Sequence, residues 1–209
     1  MMSHNPAPLS AKRGRPMSFD REEALEQAMG VFWRKGYIGT SMNDLTAAMG
    51  IASPSLYAAF GSKEKLYHEA LNHYVSLHQE AVARIMEMPT ARESVEGLLR
   101  NAVSAFSRTS FPSGCMLEQT AGEAGDLSPE IDVSLSNLRA ANDANFLSRL
   151  RKGIEDGDVA ACTDASAVAA FYATVRKGLS LSARGGTGTD ELNTVVTSAM
   201  KAWPKLIAS

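Results

Sequence analysis

The chain has 209 residues, of which 44% are hydrophobic and 21% charged, a composition typical of a folded globular protein large enough to bury a core. No run of about 18 apolar residues occurs, which argues against a membrane span, and residues 1–16 lack the apolar segment of a secretory signal, so we expect a cytoplasmic protein. The net charge of -2 by itself favours neither nucleic acid nor any other partner.

Residues 1–18 are expected to form a flexible basic arm. Lys12, Arg13 and Arg15 stand together near Gly and Pro residues, and no acidic residue precedes Asp20. Such an arm can reach the minor groove or a phosphate when a DNA-binding motif follows it. The alternative is a solvated tail that contacts nothing, and the segment that follows favours the arm.

A first helix is predicted from Asp20 to about Gly36. Asp20 and Glu23 have the spacing of a capping box, and Gly36 suits the positive φ that often ends a helix. Five apolar residues recur at helical spacing and predict one buried face: Ala24, Leu25, Ala28, Val31 and Phe32.

Two short helices joined by a tight turn are predicted next. Thr40 or Ser41 caps the first of them, with Asp44 completing a capping box, and Gly50 supplies the turn. Ser53 is expected to cap the second, which the following proline begins. This arrangement predicts a helix-turn-helix, whose last helix enters the major groove of DNA.

The segment resembles the TetR family of bacterial transcriptional regulators. The resemblance lies in Gly36-Tyr37, Gly39-Thr40-Ser41, residues 45–50 (LTAAMG), residues 53–57 (SPSLY) and residues 62–66 (SKEKL). It implies an all-α fold, with a three-helix DNA-binding domain over residues 19–65. It also implies a helical domain over residues 66–209 that binds an effector and dimerises.

The resemblance also implies the DNA contacts. Phosphate contacts would come from Thr40, Ser41, Tyr57 and Lys63, base contacts from Ala52, Ser53 and Ser55, and Arg13 and Arg15 would serve the arm. The recognition helix has no Arg, Asn or Gln, so specificity is expected to depend on hydroxyl groups, water, DNA shape and the arm. Alternatives remain open: Thr40 and Ser53 as helix caps, Tyr57 as partly core, and Lys63 as a solvated charge.

The remaining sequence predicts further helices over residues 63–87, 91–109, 128–157, 164–185 and 190–203. His68, His73 and His78 are spaced by five residues and share no helical face, which argues against a metal site and for solvent-facing or interfacial histidines. Arg176 and Lys177 can face a ligand, but a solvated face is the favoured interpretation. Candidate effector contacts, each of which can equally be plain core, are Met86, Phe106, Phe111, Cys115, Met116, Phe146, Phe171 and Tyr172.

Cys115 has two interpretations. At a helix N-terminus it can sense oxidants or electrophiles, or it can be a small buried apolar residue. No Lys, Arg or His lies within five residues of it, and its separation from Cys162 matches no zinc-ligand spacing. Neither a metal nor a cofactor is predicted.

The leading hypothesis is a homodimeric regulator, acting as a repressor that binds a palindromic operator and is released by a small apolar or amphipathic effector. The last two predicted helices contain many small residues, and the resemblance implies that they form the dimer interface. The main alternative is a redox or electrophile sensor acting through Cys115. A helical interaction module for another protein is a further possibility. No catalytic motif occurs, so we do not expect an enzyme.

Overall fold

The computed structural model describes residues 19–119 and 127–207, and these form ten helices and no strand. The all-α prediction is therefore confirmed. In chain order the helices are α1 (Arg21–Lys35), α2 (Met42–Met49), α3 (Ser53–Phe60), α4 (Lys63–Met86), α5 (Ala91–Phe106), α6 (Met116–Gln119), α7 (Pro129–Asp156), α8 (Ala165–Arg184), α9 (Thr189–Lys201) and α10 (Trp203–Leu206). None of these helices is long and apolar enough to cross a membrane.

Local capping chemistry fixes where most helices begin. The Asp20 carboxylate accepts from the N–H groups of Glu22 and Glu23 and caps α1. Ser41 and Asp44 form the complete capping box predicted for α2. The predicted helix starts at Ser62, Ser128 and Asp164 are likewise confirmed, because each side chain accepts a backbone N–H of the first turn.

The start of α3 was predicted wrongly. Ser53 is the first residue of the helix and not its cap, while Ala52 occupies the capping position and offers no side-chain bond. Once Ser53 has helical backbone geometry, its hydroxyl no longer lies where it can accept the free N–H groups of the first turn. Its side chain is instead exposed and available to a partner.

Turns between the first helices rely on glycine. Gly50 has φ 64° and lies in the left-handed region, as the sequence predicted for the turn between α2 and α3.

The last predicted helix is divided in two, because Pro204 follows Trp203 and cannot continue the hydrogen bonding of α9.

Helix α4 joins the two halves of the molecule. Its first part packs against α1 through Tyr67, whose ring lies 4.8 Å from that of Phe32. Its second part packs against α5 and α7. The expected boundary between residues 65 and 66 therefore falls inside one continuous helix.

A second aromatic cluster lies where α1 meets the C-terminal helices. The Trp33 ring is 4.9 Å from the Tyr74 ring and stacks 5.6 Å from Phe111. The Arg184 guanidinium, at the end of α8, donates to the Trp33 carbonyl at 3.3 Å. The end of α1 is thus attached both to α4 and to α8.

Candidate nucleic-acid interface and internal cavity

Helix α3 buries one face and exposes a small one. Leu56 and Phe60 are buried against the other N-terminal helices. The outer face presents Ala52, Ser53, Tyr57 and Ala58, while Ser55 is half-buried. Apart from Tyr57, these side chains are small enough to let the backbone approach base edges, and the serine hydroxyls can donate to or accept from a base or phosphate.

Tyr57 and Lys63 are held differently from each other. The Tyr57 side chain is 51% exposed, so it is not a core residue. The Lys63 ammonium lies 4.3 Å from the centre of the Tyr37 ring, which is a cation–π contact. The aromatic ring positions Lys63 at the start of α4 in place of the freely solvated charge that was the alternative.

Thr40 has a structural place in the turn before α2. It is buried, its hydroxyl donates to the Gly36 carbonyl at 2.6 Å, and its N–H donates to the Tyr37 carbonyl at 3.3 Å. Both of its donors are therefore engaged inside the protein. This arrangement does not support the phosphate contact that the resemblance implied for Thr40.

The N-terminus of α2 already holds a carboxylate. Asp44 accepts from the N–H and hydroxyl of Ser41, and from the Lys35 ammonium at 2.6 Å. These hydrogen bonds hold the pKa of the Asp44 carboxyl well below its usual range, and the bond from Lys35 has the largest effect. Unlike Thr40, Ser41 is exposed and lies near the Lys35 ammonium, but a phosphate bound at this helix N-terminus would have to take the place of Asp44.

Arg13 and Arg15 of the expected arm lie outside the described residues. Their contact with DNA therefore stays a prediction from the sequence.

A cavity of about 390 Å³, open to solvent on one side, lies between the C-terminal helices. Its apolar wall comes mainly from α4, α5 and α7: Val75, Val82, Ala83, Met86, Leu98, Ala102, Ala105, Phe106, Ala141 and Phe146. Its polar wall comprises Tyr74, His78, Gln79, Asn101, Cys115, Asn142, Asn145 and Arg176. Such a mixture is typical of a binding site for a small organic molecule.

Four of the candidate effector contacts lie in this wall: Met86, Phe106, Cys115 and Phe146. The other four lie elsewhere. Phe111 stacks on Trp33, Met116 is buried outside the wall, Phe171 is 39% exposed, and Tyr172 packs between Phe171 and Trp203. Met116 and Tyr172 are buried, as in the alternative that they are plain core. Helical periodicity does not indicate which neighbour a buried side chain meets.

Arg176 lines the cavity, although the sequence favoured a solvated face over a ligand contact for it. It is only 7% exposed. Its Nη2 contacts Glu118 Oε1 at 3.3 Å and Asp143 Oδ1 at 3.2 Å, and Lys177 also pairs with Asp143. These partners are 58 and 33 residues away in sequence, so no local pattern could have indicated them.

Cys115 is buried at the edge of the cavity. Its thiol accepts a hydrogen bond from the Tyr74 hydroxyl at 3.3 Å, and its N–H donates to Ser180 Oγ at 2.8 Å. Burial, and then the neighbouring Cys115, raise the pKa of Tyr74 well above its ordinary value, so Tyr74 remains a donor. Arg176 and Arg184 both interact electrostatically with Cys115, although no basic residue is near it in sequence.

His78 faces the cavity and not only solvent. Its ring packs edge-on against Tyr74 at 5.1 Å. Burial lowers the pKa of His78, and the nearby Arg108 lowers it further. In the described ranges, no three His, Cys, Asp or Glu side chains come together as a metal site would require.

Helices α8 and α9 carry exposed apolar side chains on their outer faces. Leu181 is 74% exposed, and Phe171 and Val195 are also exposed. Gly178 lies between Phe171 and Leu181 on α8, and a side chain added there would meet nothing within 4 Å. This apolar outer face comprises Phe171, Gly178, Leu181 and Val195.

Comparison with known proteins agrees with this architecture. The family profile described as "Bacterial regulatory proteins, tetR family" matches residues 24–70. A second profile, "Tetracyclin repressor-like, C-terminal domain", matches residues 90–199.

Two similar proteins come from Escherichia coli (strain K12). The transcriptional repressor ComR is 30% identical over 199 residues, covering 93% of this chain and 94% of ComR. The transcriptional repressor BdcR is 31% identical over 189 residues, covering 90% of this chain and 89% of BdcR.

Among solved structures, a cysteine mutant of the TetR family regulator CifR, complexed with 26-base-pair double-strand operator DNA, is 45% identical. It has a TM-score of 0.84 and covers 91% of this chain and all of the CifR chain. The reduced form of NemR from E. coli, at 19% identity and a TM-score of 0.69, shares the fold. The chain therefore belongs to the TetR family of bacterial DNA-binding transcriptional regulators, which are not enzymes.

Proposed function

We propose that the protein is a homodimeric repressor that binds a palindromic operator and is released when a small apolar or amphipathic effector occupies the internal cavity. One observation carries this proposal: the cavity wall and the DNA-facing surface share α4, from Lys63 at its start to Met86 at its end. Similarity to proteins named as repressors, and to CifR complexed with operator DNA, supports the assignment.

DNA recognition is proposed for residues 19–65, preceded by the arm with Arg13 and Arg15. Base edges would be contacted by Ala52, Ser53 and Ser55, and phosphates by Ser41, Tyr57 and Lys63. The exposure of Ser53 and Tyr57 and the fixed position of Lys63 support this set. The regulator would act where the DNA is, in the cytoplasm.

Dimerisation is proposed through α8 and α9 in residues 66–209. Their apolar outer face is exposed in the single chain, and the glycine within it allows a second helix to approach closely. A two-fold dimer places two copies of α3 on successive major grooves of one DNA face, so the operator would be palindromic.

The first experiment is selection of bound DNA from a random library, followed by fluorescence anisotropy on the recovered site at several salt concentrations. We expect a palindrome whose affinity falls steeply with salt, because phosphate contacts release counterions. Lys63→Gln should weaken binding and reduce the slope of log K against log salt by about 0.9. Lys152→Gln, which removes a charge from α7, is the matched control and should bind like the wild type. An absence of any enriched sequence would instead favour a protein partner for the helix-turn-helix.

The effector switch requires a second measurement. An effector must bind the DNA-incompetent dimer more tightly than the DNA-bound form, since equal affinity shifts no equilibrium. Compounds that bind the cavity should therefore lower operator affinity. If bound compounds leave operator affinity unchanged, the release mechanism is wrong even where DNA binding stands.

A redox or electrophile sensor acting through Cys115 is the second candidate function. The observations that support this candidate are the hydrogen bond from Tyr74, the position of Cys115 in the cavity wall, and its electrostatic interaction with Arg176 and Arg184. N-ethylmaleimide, followed by mass spectrometry and operator binding, tests this. Modification of Cys115 with loss of binding, abolished in Cys115→Ser and retained in Cys162→Ser, is the expected result. Release that persists in Cys115→Ser would reject the sensor.

A further inference from the structure

The cavity wall contains hydrogen-bonding groups that the protein leaves unused. Gln79 on α4, Asn101 on α5, and Asn142 and Asn145 on α7 all line it. Across residues 19–119 and 127–207 their carboxamides have no hydrogen-bond partner. Each carboxamide can both donate and accept. A purely apolar ligand would displace water from these groups and leave them unpaired, which is unfavourable.

Arg176 is also only partly satisfied. Its contacts with Glu118 and Asp143 both use Nη2, while its buried Nε has no partner. A guanidinium has five N–H donors, so the two ion pairs leave donor capacity at the cavity. Glu118 and Asp143 balance the charge of Arg176 from α6 and α7, and neither lines the cavity.

Arg176, Tyr74 and Cys115 lie together at one end of the cavity, and Asn142 directly precedes Asp143, which pairs with Arg176. Arg176 interacts electrostatically with Tyr74 and Cys115, at the end of the cavity nearer the DNA-binding helices. Val82 and Met86 lie two and three turns further along α4, and Leu98 comes from the adjoining part of α5. Arg176 thus lies at one end of the cavity and Met86 at the other, with the carboxamides of Gln79 and Asn101 one helical turn from Val82 and Leu98.

Charge balance restricts what the end around Arg176 can bind. Arg176 and Lys177 are already balanced by Glu118 and Asp143, so this group has no net charge, and an ionic ligand would lose its hydration without gaining a counter-charge. A cation would face the Arg176 guanidinium directly. An uncharged acceptor oxygen avoids both penalties and can accept from Arg176 or a carboxamide.

We propose that the site takes a small uncharged molecule with an apolar body and a carbonyl oxygen, such as a ketone, ester or amide, with the oxygen at Arg176 and Asn142. This inference rests on the proposed effector function and specifies its ligand class. The volume of about 390 Å³ lies near the lower end of the range for ligand cavities, about 300–1,000 Å³. The cavity can therefore hold a small organic molecule.

The test uses three sets of probes built on aryl, branched and linear carbon frames. Each set contains a ketone, the matching hydrocarbon, a carboxylate and a primary amine, and binding is measured by isothermal titration calorimetry on the full-length protein. We expect the ketone to bind at least tenfold more tightly than the other three members in at least one set. Equal or tighter binding of the hydrocarbon, carboxylate or amine in every set overturns the proposal, as does a lack of binding by all twelve probes.

Two variants of α7 test whether the carbonyl oxygen of the ketone binds at Asn142. Asn142→Ala should weaken the ketone at least fivefold and leave the matching hydrocarbon within twofold. Asn137→Ala, an exposed asparagine on the same helix, is the matched control and should bind both probes like the wild type. Equal losses for ketone and hydrocarbon in Asn142→Ala would indicate a structural role and contradict the assignment.

Measuring operator affinity in the presence of the probes distinguishes a wrong ligand class from a wrong release mechanism. Ketone binding without a change in operator affinity would leave the ligand class intact and reject the release mechanism. Operator release by the carboxylates or amines, but not by ketones, would support the regulator and reject the ligand class.

Discussion

At the scale of single residues, His78 is placed where its charged form is unfavourable. Its ring packs on Tyr74 in the cavity wall, and the positive charge of Arg108 acts on it. Burial and that positive charge both lower the pKa of His78 below its ordinary value of 6.5. The neutral imidazole is thus the form that suits the folded protein.

The pH dependence of stability follows with a definite sign. Between the lowered pKa of folded His78 and 6.5, the unfolded chain binds a proton that the folded chain does not. Stability from this residue is therefore present above pH 6.5 and is lost as the pH falls through the folded pKa. The slope is at most about 1.4 kcal/mol per pH unit for one proton.

Urea denaturation between pH 7.5 and 5 can measure this loss. The free energy of unfolding of the wild type should fall relative to that of His78→Gln. His78→Asn, a second uncharged variant, should behave like the glutamine variant. Parallel profiles for the wild type and both variants would contradict the prediction.

At the scale of elements, the junction of α6 with α8 depends on a glycine. Gly114 has φ 83°, and a Cβ added to it would lie 2.8 Å from the Ser180 carbonyl oxygen. The next residue, Cys115, donates its N–H to the Ser180 hydroxyl. The segment before α6 is therefore docked on α8 by backbone geometry that a side chain would disturb.

Gly114→Ala should destabilise the protein by about 1–3 kcal/mol, from left-handed strain together with the clash. Urea denaturation monitored by circular dichroism measures the change. Gly30→Ala is the control, since a Cβ there meets the flexible Arg34 at ordinary distance and the helix gains up to about 1 kcal/mol. Equal stability of Gly114→Ala and the wild type would mean that the segment is free to shift.

The starts of the helices were predicted best from the sequence, because a capping side chain bonds to backbone N–H groups within one helical turn of itself. Asp20, Ser41, Ser62, Ser128 and Asp164 all cap the helices assigned to them. The residues of the cavity were predicted less well. Arg176 is held in the cavity wall by ion pairs with residues of α6 and α7. Phe171 points outward although the next residue, Tyr172, is buried. Such pairings depend on how helices pack, which periodicity along one helix does not specify.

At the scale of the whole molecule, the apolar outer face of α8 and α9 is the proposed contact between two copies. Leu181→Glu places a charge at its most exposed apolar residue. The dissociation constant of the dimer should rise at least tenfold, which is about 1.4 kcal/mol, because the carboxylates would be buried opposite each other. Sedimentation equilibrium measures this change, and operator affinity should fall with it.

Val133→Glu is the matched control for this prediction. Val133 is an apolar residue of α7 that is 59% exposed and lies outside the proposed dimer surface. Its substitution should leave the association state unchanged. A Leu181→Glu protein that associates as tightly as the wild type would place the dimer interface elsewhere.

The continuity of α4 gives the molecule a mechanical property. Its 24 residues form a rod about 36 Å long, at about 1.5 Å per residue. A tilt of roughly 5° about the cavity end displaces the opposite end by about 3 Å, close to the spacing of one base pair along DNA. Under the proposed release mechanism, an effector that tilted α4 by a few degrees would therefore shift the DNA-binding helices by about the spacing of one base pair.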